Sequence, residues 1–453
     1  ILIYIMTSRY LELSPDNKTT DGNYSYKNGI SSLNFTIPEG SYVLDPASVR
    51  ICGDVKFFTD NATPPTAPDP AFTGNLALNS RIGVYSCFQQ LTWRSGRHQT
   101  TISHERNWNR WLASYLSQTA SKEDSLTHLG QSALTMPNWE IQKRSVVDKA
   151  DANSFCVHLP CGLLNSGASI PLTPNTLGSL QLSIGLESDA QALQVLPANL
   201  STAPDVTAFT GSHYVLSNVK LVCSVITPPP DMLSKLMSQK EGGLTYQSIH
   251  SYYDTANSNN IQVSMNLGLS KVKSLFINVI QSDKLNNLGA DGFATLMPTN
   301  QDGSIANIQK VTWLRGGTVY PKLFPSDTNF KENTSIMVAD PSIVRDYLNS
   351  ITNFNSSHNS QGSLANVNRN WLGVPVAAAS GTPYQLVADS GVVWGLGCNY
   401  ENYLGGTGVE MRSEAFGLAL ECTLNSSSAQ SLFIYVNAES NIMWNANGVQ
   451  LMN

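Results

Sequence analysis

The sequence predicts an all-β chain built from two consecutive β domains with a few short helices. Three observations predict it. Apolar and polar residues alternate at period two along most of the 453 residues, the pattern of half-buried strands. The stretches between these runs are rich in Pro, Gly and Asn, as turns require. The alternation also stops abruptly near the midpoint, at TPPPD, and then begins again. Many strands, turn-rich connections and few helices point to sandwiches or jelly rolls.

The elements follow in order. The opening ILIYIMTSRYLEL carries five apolar residues, far short of the ~20 a bilayer needs. Met6 is a plausible natural start, with residues 1–5 either read-through or an extra edge strand. YVLDPASVRICGDVKFF reads as a long strand and is followed by the loop 59–75. In ERNWNRWLASYLSQ, residues Trp108, Trp111, Leu112, Tyr115 and Leu116 fall on one helical stripe, which predicts a helix over 105–118. SLQLSIGLE aligns Leu180, Leu182, Ile184 and Leu186 on one strand face. VLSNVKLVCSV puts Val215, Val219, Leu221, Cys223 and Val225 on one face, with Leu216, Asn218, Lys220 and Ser224 on the other.

The three prolines Pro228, Pro229 and Pro230 cannot donate ladder hydrogen bonds, so the strand must stop before them. Asp231 is expected to cap a short helix whose stripe is Met232, Leu233, Leu236 and Met237, with Gly242 and Gly243 as its stop. Pro228 to Asp231 thus form a stiff structural joint, since a flexible linker would favour Gly and Ser. The expected organisation is a first domain over 1–227, a proline-helix linker over 228–243 and a second domain over 244–453. In the second half KVKSLFINVIQS, AFGLALECTL and SLFIYVNAES read as strands. DPSIVRDYLNSITNF predicts a helix over 341–354, capped by Asp340 and opened by Pro341. Each half is therefore a series of strands interrupted by one amphipathic helix at a similar offset.

Composition limits the function. Charged residues are 13% of the chain, against roughly 25% in ordinary soluble domains, and Asn, Ser, Thr and Gly take their place. Uncharged polar surface loses less on dehydration, which suits a chain that buries its outside against copies of itself. The net charge is −6 and no basic run occurs, so direct contact with nucleic acid is not expected. Seven scattered cysteines argue against a disulfide framework.

Chemical sites are sparse. FCVHLPC offers Cys156, His158 and Cys161 as soft ligands, but a structural zinc needs a fourth and no second cluster follows. No metal or other cofactor is expected. The seven histidines are dispersed, and neither a G-x-S-x-G elbow nor an HExxH helix occurs. The glycine-rich WGLGCNYENYLGGTG (394–408) lacks the helix that a dinucleotide loop requires. A glycoside hydrolase would need two facing carboxylates. Glu401, Glu410, Glu414 and Glu421 are candidates by type alone, and Trp108 with Trp111 could make a sugar platform.

Four stretches and their order carry a family likeness: SFCVHLPCGLLNSGASIPLTPNTLGSLQLSIGLE (154–187), HYVLSNVKLVCSVI (213–226), NNIQVSMNLGLSKVKSLFINVIQSD (259–283) and the C-terminal VNAESNIMWNANGVQL. YLEL and GSYVLDPASVRI fit the first strands. The chain resembles the double jelly-roll major capsid proteins of the adenovirus-like lineage, of the Polinton-like virus and virophage type. The resemblance implies two eight-stranded jelly rolls side by side and a structural role, not an enzymatic one. It further implies homotrimeric, pseudo-hexagonal capsomers that tile an icosahedral shell. The expected partners are the chain itself, neighbouring capsomers, and penton and minor capsid proteins. The place is the virion, after assembly in host cytoplasm or nucleus, with an underlying membrane left open. The loops at 59–75, 188–212, 296–310 and 353–370 would crown the outer surface, and the helices at 105–118 and 341–354 would buttress the rolls or the trimer contacts. A jelly-roll carbohydrate-binding protein or glycoside hydrolase is the alternative.

Overall fold

Among the described residues, eight strands of each half wire the two halves identically. A computed structural model of the chain describes residues 7–58, 74–79, 82–97, 99–119, 132–134, 153–197, 206–239, 241–257, 260–293, 295, 308–320, 326–327, 347, 350–351, 395–400, 408–412, 415–422 and 429–453. In the first half the strands are β1 (Thr7–Leu13), β2 (Ser32–Ile37), β3 (Val43–Phe58), β4 (Phe88–Ser95), β5 (Thr101–Glu105), β6 (Asn153–His158), β7 (Leu180–Leu186) and β8 (His213–Thr227). They form two antiparallel sheets in the orders β1-β8-β3-β6 and β2-β7-β4-β5.

The second half repeats the scheme. Its strands are β9 (Gly242–Ala256), β10 (Asn260–Met265), β11 (Val272–Gln281), β12 (Ile308–Arg315), β13 (Thr318–Val319), β14 (Leu396–Asn399), β15 (Phe416–Cys422) and β16 (Gln430–Asn445). Their orders are β9-β16-β11-β14 and β10-β15-β12-β13. Each half is thus a jelly roll in which the first strand lies beside the eighth, the third beside the sixth, and the remaining four form the facing sheet. The chain is a double jelly roll. Short strands extend the sheets, and Gly74–Leu78 pairs with Leu193–Pro197 outside them.

Strand β7 shows the expected alternation over Leu180–Ile184, with Leu180, Leu182 and Ile184 buried and Gln181 and Ser183 half-exposed. Strand β8 departs from it. Asn218 adopts a left-handed conformation (φ 52°) at a bulge, where the register against β3 shifts between Ser217 and Lys220. The extra residue resets the parity of the strand. Tyr214 and Leu216 therefore join the core before the bulge, and Val219, Leu221, Cys223 and Val225 join it after. Val215 lies outside that cluster and Leu216 inside it, which reverses their expected assignment. Pro46 within β3 is accommodated the same way, at a second irregularity between Val222 and Ser224 of β8. There the Ser48 hydroxyl accepts from the Ser224 amide at 2.7 Å and donates to the Asp45 carbonyl at 2.6 Å.

Helix α1 (Trp108–Thr119) starts three residues later than the apolar stripe suggested. Glu105 belongs to β5, and Asn107, at φ 50°, makes the left-handed corner whose carbonyl accepts from the amides of Arg110 and Trp111. Asn tolerates that conformation better than most residues. Helix α2 (Pro230–Ser238) begins at Pro230, not after an Asp231 cap. Proline suits that position because its missing N–H would have no helical partner there. The helix ends at Ser238, and Gly242 and Gly243 instead open β9. Of the helix expected at 341–354, Tyr347, Ser350 and Ile351 are helical and buried, while Asp340, Pro341 and the remainder lie outside the described residues. So do residues 1–5, the loop 353–370, most of 59–75 and 296–310, and 198–205 of the loop expected at 188–212. The rest of 188–212 is not a plain loop, since Asp189–Ala192 is a helical turn, Leu193–Pro197 a strand and Thr207–Phe209 a 3-10 turn.

Apolar side chains gather in two clusters. One is the interior of the second roll, with Leu275, Ile277, Val279, Leu432, Ile434 and Val436. The other fills the first roll and runs on into the second through Phe276, Ile280, Phe433 and Tyr435. Strands β11 and β16 thus bury both faces, one toward their own roll and one toward its neighbour.

Candidate assembly surfaces and the joint between the rolls

The proline joint lies on the surface. Pro228 and Pro229 are half-buried, Pro230 and Asp231 are exposed, and no residue of α2 is buried. Pro229 is extended (φ −55°, ψ 152°), and its carbonyl accepts the first helical hydrogen bond, from Leu233 N at 2.8 Å. Met232 is 57% exposed. Leu233, Leu236 and Met237 lie half-buried. Asn175 Nδ2 of the first roll donates to the Met237 carbonyl at 2.6 Å.

The two rolls are held together elsewhere, by a seam built around α1. The apolar stripe of α1 is buried as its spacing requires, and Trp108 donates from Nε1 to the Pro160 carbonyl at 2.7 Å. Its polar flank is buried too, because sheet β9-β16-β11-β14 covers it. Asn278 Nδ2 reaches Ser114 Oγ at 2.6 Å, and the Tyr435 hydroxyl donates to the Asn107 carbonyl at 2.9 Å. Tyr246 OH donates to the Ile102 carbonyl at 2.7 Å, and the Arg106 amide donates to Ser251 Oγ at 3.0 Å. Tyr347 and Ser350 meet the same sheet further along, where Ser274 Oγ donates to the Ser350 carbonyl at 2.9 Å. Tyr347 packs edge-on to Phe276 at 6.2 Å, and a Cβ on Gly397 would fall 2.6 Å from the Tyr347 Cα, so this approach admits only glycine.

Arg110 stands at the centre of the seam, 2% exposed. Its guanidinium lies over the rings of Phe433 and Phe293, at 4.7 and 4.8 Å from their centroids. It donates to Gln191 Oε1 at 2.5 Å and to the Gly292 carbonyl. Burial works against its charge, while Glu187 nearby works for it. A buried cation is tolerable when its donors are matched and its plane is stacked. Glu105 is buried at the same seam and accepts from the Gly162 amide at 2.8 Å and from Ser103 Oγ at 3.2 Å. Burial pushes its carboxyl up to about 8. Neither residue is marked in the sequence, because their partners are distant in it: Glu105 meets Gly162, and Arg110 is covered by Phe293 and Phe433 of the other half.

The equivalent sheet of the first roll, β1-β8-β3-β6, has an open outer face. Arg50, Ser154, Cys156, Asn218 and Lys220 are exposed on it. Asp54 accepts from Ser154 Oγ at 2.6 Å and Asn218 Nδ2 at 2.7 Å, and Lys220 pairs with Glu12 at 2.9 Å. Cys52 and Cys156 oppose each other directly, with their sulfurs 2.7 Å apart.

The sequence-level chemical candidates do not converge. Cys156 faces solvent, whereas Cys161 is fully buried beside Glu105 and Trp93. Among the described residues no group of three His, Cys, Asp or Glu side chains is placed to hold a metal. Trp108 and Trp111 are 1% and 0% exposed and present no sugar platform. Glu410 is exposed and 3.9 Å from Arg412. Glu401 and Glu414 lie outside the described residues, and Glu421 is placed only as a position on β15. Within 394–408, residues Leu396–Asn399 form β14.

Among solved structures, the chain is similar to the capsid of PBCV-1 virus, with a TM-score of 0.57 at 10% identity over 99% of this chain and 97% of that one. It is similar to the Faustovirus major capsid protein with a TM-score of 0.59 at 9% identity, over 98% of this chain and 91% of that one. For the Sputnik virophage structure the TM-score is 0.56 at 12% identity, over 98% and 88%. At such identities the shared property is the fold, the double jelly roll of virophage and giant-virus major capsid proteins. No protein-family model and no curated protein matches the sequence.

Proposed function

We propose that this chain is a viral major capsid protein that forms homotrimeric, pseudo-hexagonal capsomers and tiles an icosahedral shell. The observation that carries the proposal is the pairing of one welded sheet with one open sheet of the same wiring. In the second roll, sheet β9-β16-β11-β14 packs against the first roll and α1. In the first roll, the corresponding sheet β1-β8-β3-β6 stands free. A second copy can meet that free sheet with its own second roll, and three such contacts close a ring of six rolls. Isologous twofold pairing would leave half of the ring unmade, so a closed head-to-tail arrangement suits this surface. The likeness in fold to capsid proteins of PBCV-1, Faustovirus and Sputnik supports the same reading.

The polar character of the open face fits a contact made after folding, between chains that are first soluble. Weak contacts repeated across a lattice then suffice to hold a shell. Within this reading the partners are other copies of the chain and the penton and minor proteins that complete a shell, and the place is the virion, after assembly in host cytoplasm or nucleus. The role is structural, not enzymatic. The divisions 1–227 and 244–453 correspond to two corners and 228–243 to the joint between them, whose last two residues, Gly242 and Gly243, already open β9. Pro228, Pro229 and Pro230, with Asp231, set the reach of the crossing so that the seam closes in one register.

Light scattering on the purified chain, with negative-stain imaging, tests the proposal. The expected result is a particle of three chains with hexagonal outline. A monomer at every concentration, together with glycan binding, would sink it in favour of the carbohydrate-binding alternative. Replacing residues 228–230 by Gly-Ser-Gly is expected to lower the yield of trimers, and an unchanged yield would remove the joint from the account.

A further inference from the structure

We propose that Cys52 and Cys156 are a redox pair that closes into a reversible cross-strand disulfide, clamping edge strand β6 to β3 on the open face of the first roll. The two residues are direct partners in the antiparallel register of β3 and β6, between Ile51↔Val157 and Gly53↔Phe155. Opposed residues in such a ladder have Cα atoms about 4.5–5.5 Å apart, inside the ~4.4–6.8 Å span that a disulfide bridges without moving backbone. Both side chains point away from the core, since Ile51, Phe155 and Val157 on either side of them belong to the buried cluster. The sulfurs stand 2.7 Å apart as free thiols. Bond formation, at ~2.05 Å, needs only a small further approach.

The pair is also accessible and asymmetric, as thiol–disulfide exchange requires. Cys156 is exposed and Cys52 half-buried. Burial, followed by the neighbouring Cys156 thiol, pushes the Cys52 thiol up to about 12. Cys156 is therefore the attacking group and Cys52 the resolving one. The oxidant is a small-molecule disulfide, RSSR. The deprotonated Cys156 sulfur attacks one sulfur of RSSR, the S–S bond of RSSR breaks, its other half leaves as the thiolate RS−, and a mixed disulfide forms on Cys156. Cys52 then loses its proton, attacks the Cys156 sulfur and expels the second thiolate. Two electrons pass from the cysteine pair to RSSR, and two protons end on the two RSH products.

Cys87, Cys161, Cys223 and Cys398 are buried. The exchange joins positions 104 apart in the chain. A link across so long a loop removes freedom mainly from the unfolded chain. The inference concerns one chain and does not depend on the assembly proposed above.

The purified chain is incubated with oxidised glutathione, then alkylated and analysed by intact mass and peptide mapping. The expected product carries no glutathione, is lighter by about 2 Da, and yields one Cys52–Cys156 cross-linked peptide. Its thermal midpoint is expected to rise by about 5–10 °C and to return on adding a reductant. Cys156→Ser and, independently, Cys52→Ala should each abolish the reversible shift. Full alkylation of both thiols after treatment would overturn the inference, as would a glutathione adduct that persists on Cys156.

Discussion

Two sheets of identical wiring, β1-β8-β3-β6 and β9-β16-β11-β14, have opposite outer faces. The first displays Glu12 paired with Lys220, Asp54 with its two donors, and the thiols of Cys52 and Cys156. The second buries Phe276, Ile280, Phe433 and Tyr435 against α1. Topology therefore does not decide the chemistry of a sheet face. The permanence of its cover does. A face covered within the same chain never meets water after folding and can be apolar on both sides. A face that its own chain leaves open must stay hydrated, and so carries polar and charged side chains.

The comparison can be broken from its buried side. Phe433→Ala is expected to cost about 3–5 kcal/mol, because it empties the site between Arg110, Tyr253 and α1. Urea unfolding measures it, and a loss below 1 kcal/mol would mean that the seam is not what holds the rolls.

The next effect is pH-dependent. Glu105 has a folded value raised from 4.5 to about 8 by burial. The folded chain therefore binds this proton more tightly than the unfolded chain. Its contribution is complete below the unfolded value and is lost as pH rises through the folded one. Glu105→Gln keeps the oxygen that accepts from Gly162 and removes the titration, so it should stabilise the chain above pH 8 by about 2–4 kcal/mol. Thermal midpoints at pH 5 and pH 9 test this, and equal falls in wild type and variant would refute it. His250 acts at the other end, since burial lowers it to about 4. Its contribution is present above the unfolded value near 6.5 and fades as pH falls toward 4.

The smallest effect belongs to the open face. Lys220→Ala removes an ion pair whose side chains are 52% and 63% exposed. A change within about 0.5 kcal/mol is expected for the isolated chain. A loss comparable to Phe433→Ala would erase the distinction between the two faces.

Much of this was legible in the sequence. The Leu180–Leu186 alternation gives a true strand face, and the spacing of Trp108, Trp111 and Tyr115 gives a true helix stripe. Both signals are local and need only one covering surface. Three features escaped. The bulge at Asn218 reverses parity within β8, and one extra residue in a polar position leaves no mark on composition. SLFIYV was expected to alternate, yet β16 is buried on both faces, because the covering helix comes from the other half of the chain. Arg110 occupies the polar flank of its helix and reads as solvated, until residues about 180 and 320 positions later close over it. The joint prolines are conspicuous by comparison, because a broken ladder is a local event.

The seam also orders events in time. Its ties are among the most distant in the chain, with Asn107 bound to Tyr435 and Thr100 to Val449 across 328 and 349 positions. A growing polypeptide makes α1 long before β16 exists, and β16 is the strand on which both β9 and β11 must pair. The first roll can collapse early, but the polar flank of α1 stays wet, with Arg110 hydrated, until the last strand is in place. Long-range closure of this kind is slow and leaves a half-finished surface exposed meanwhile. Ribosome-stalled chains that end before residue 430 should be cut by protease near α1, and full-length chains should resist. A chain incomplete in this way lacks β16 and with it the sheet that covers α1, so the first roll keeps an unfinished face until synthesis ends.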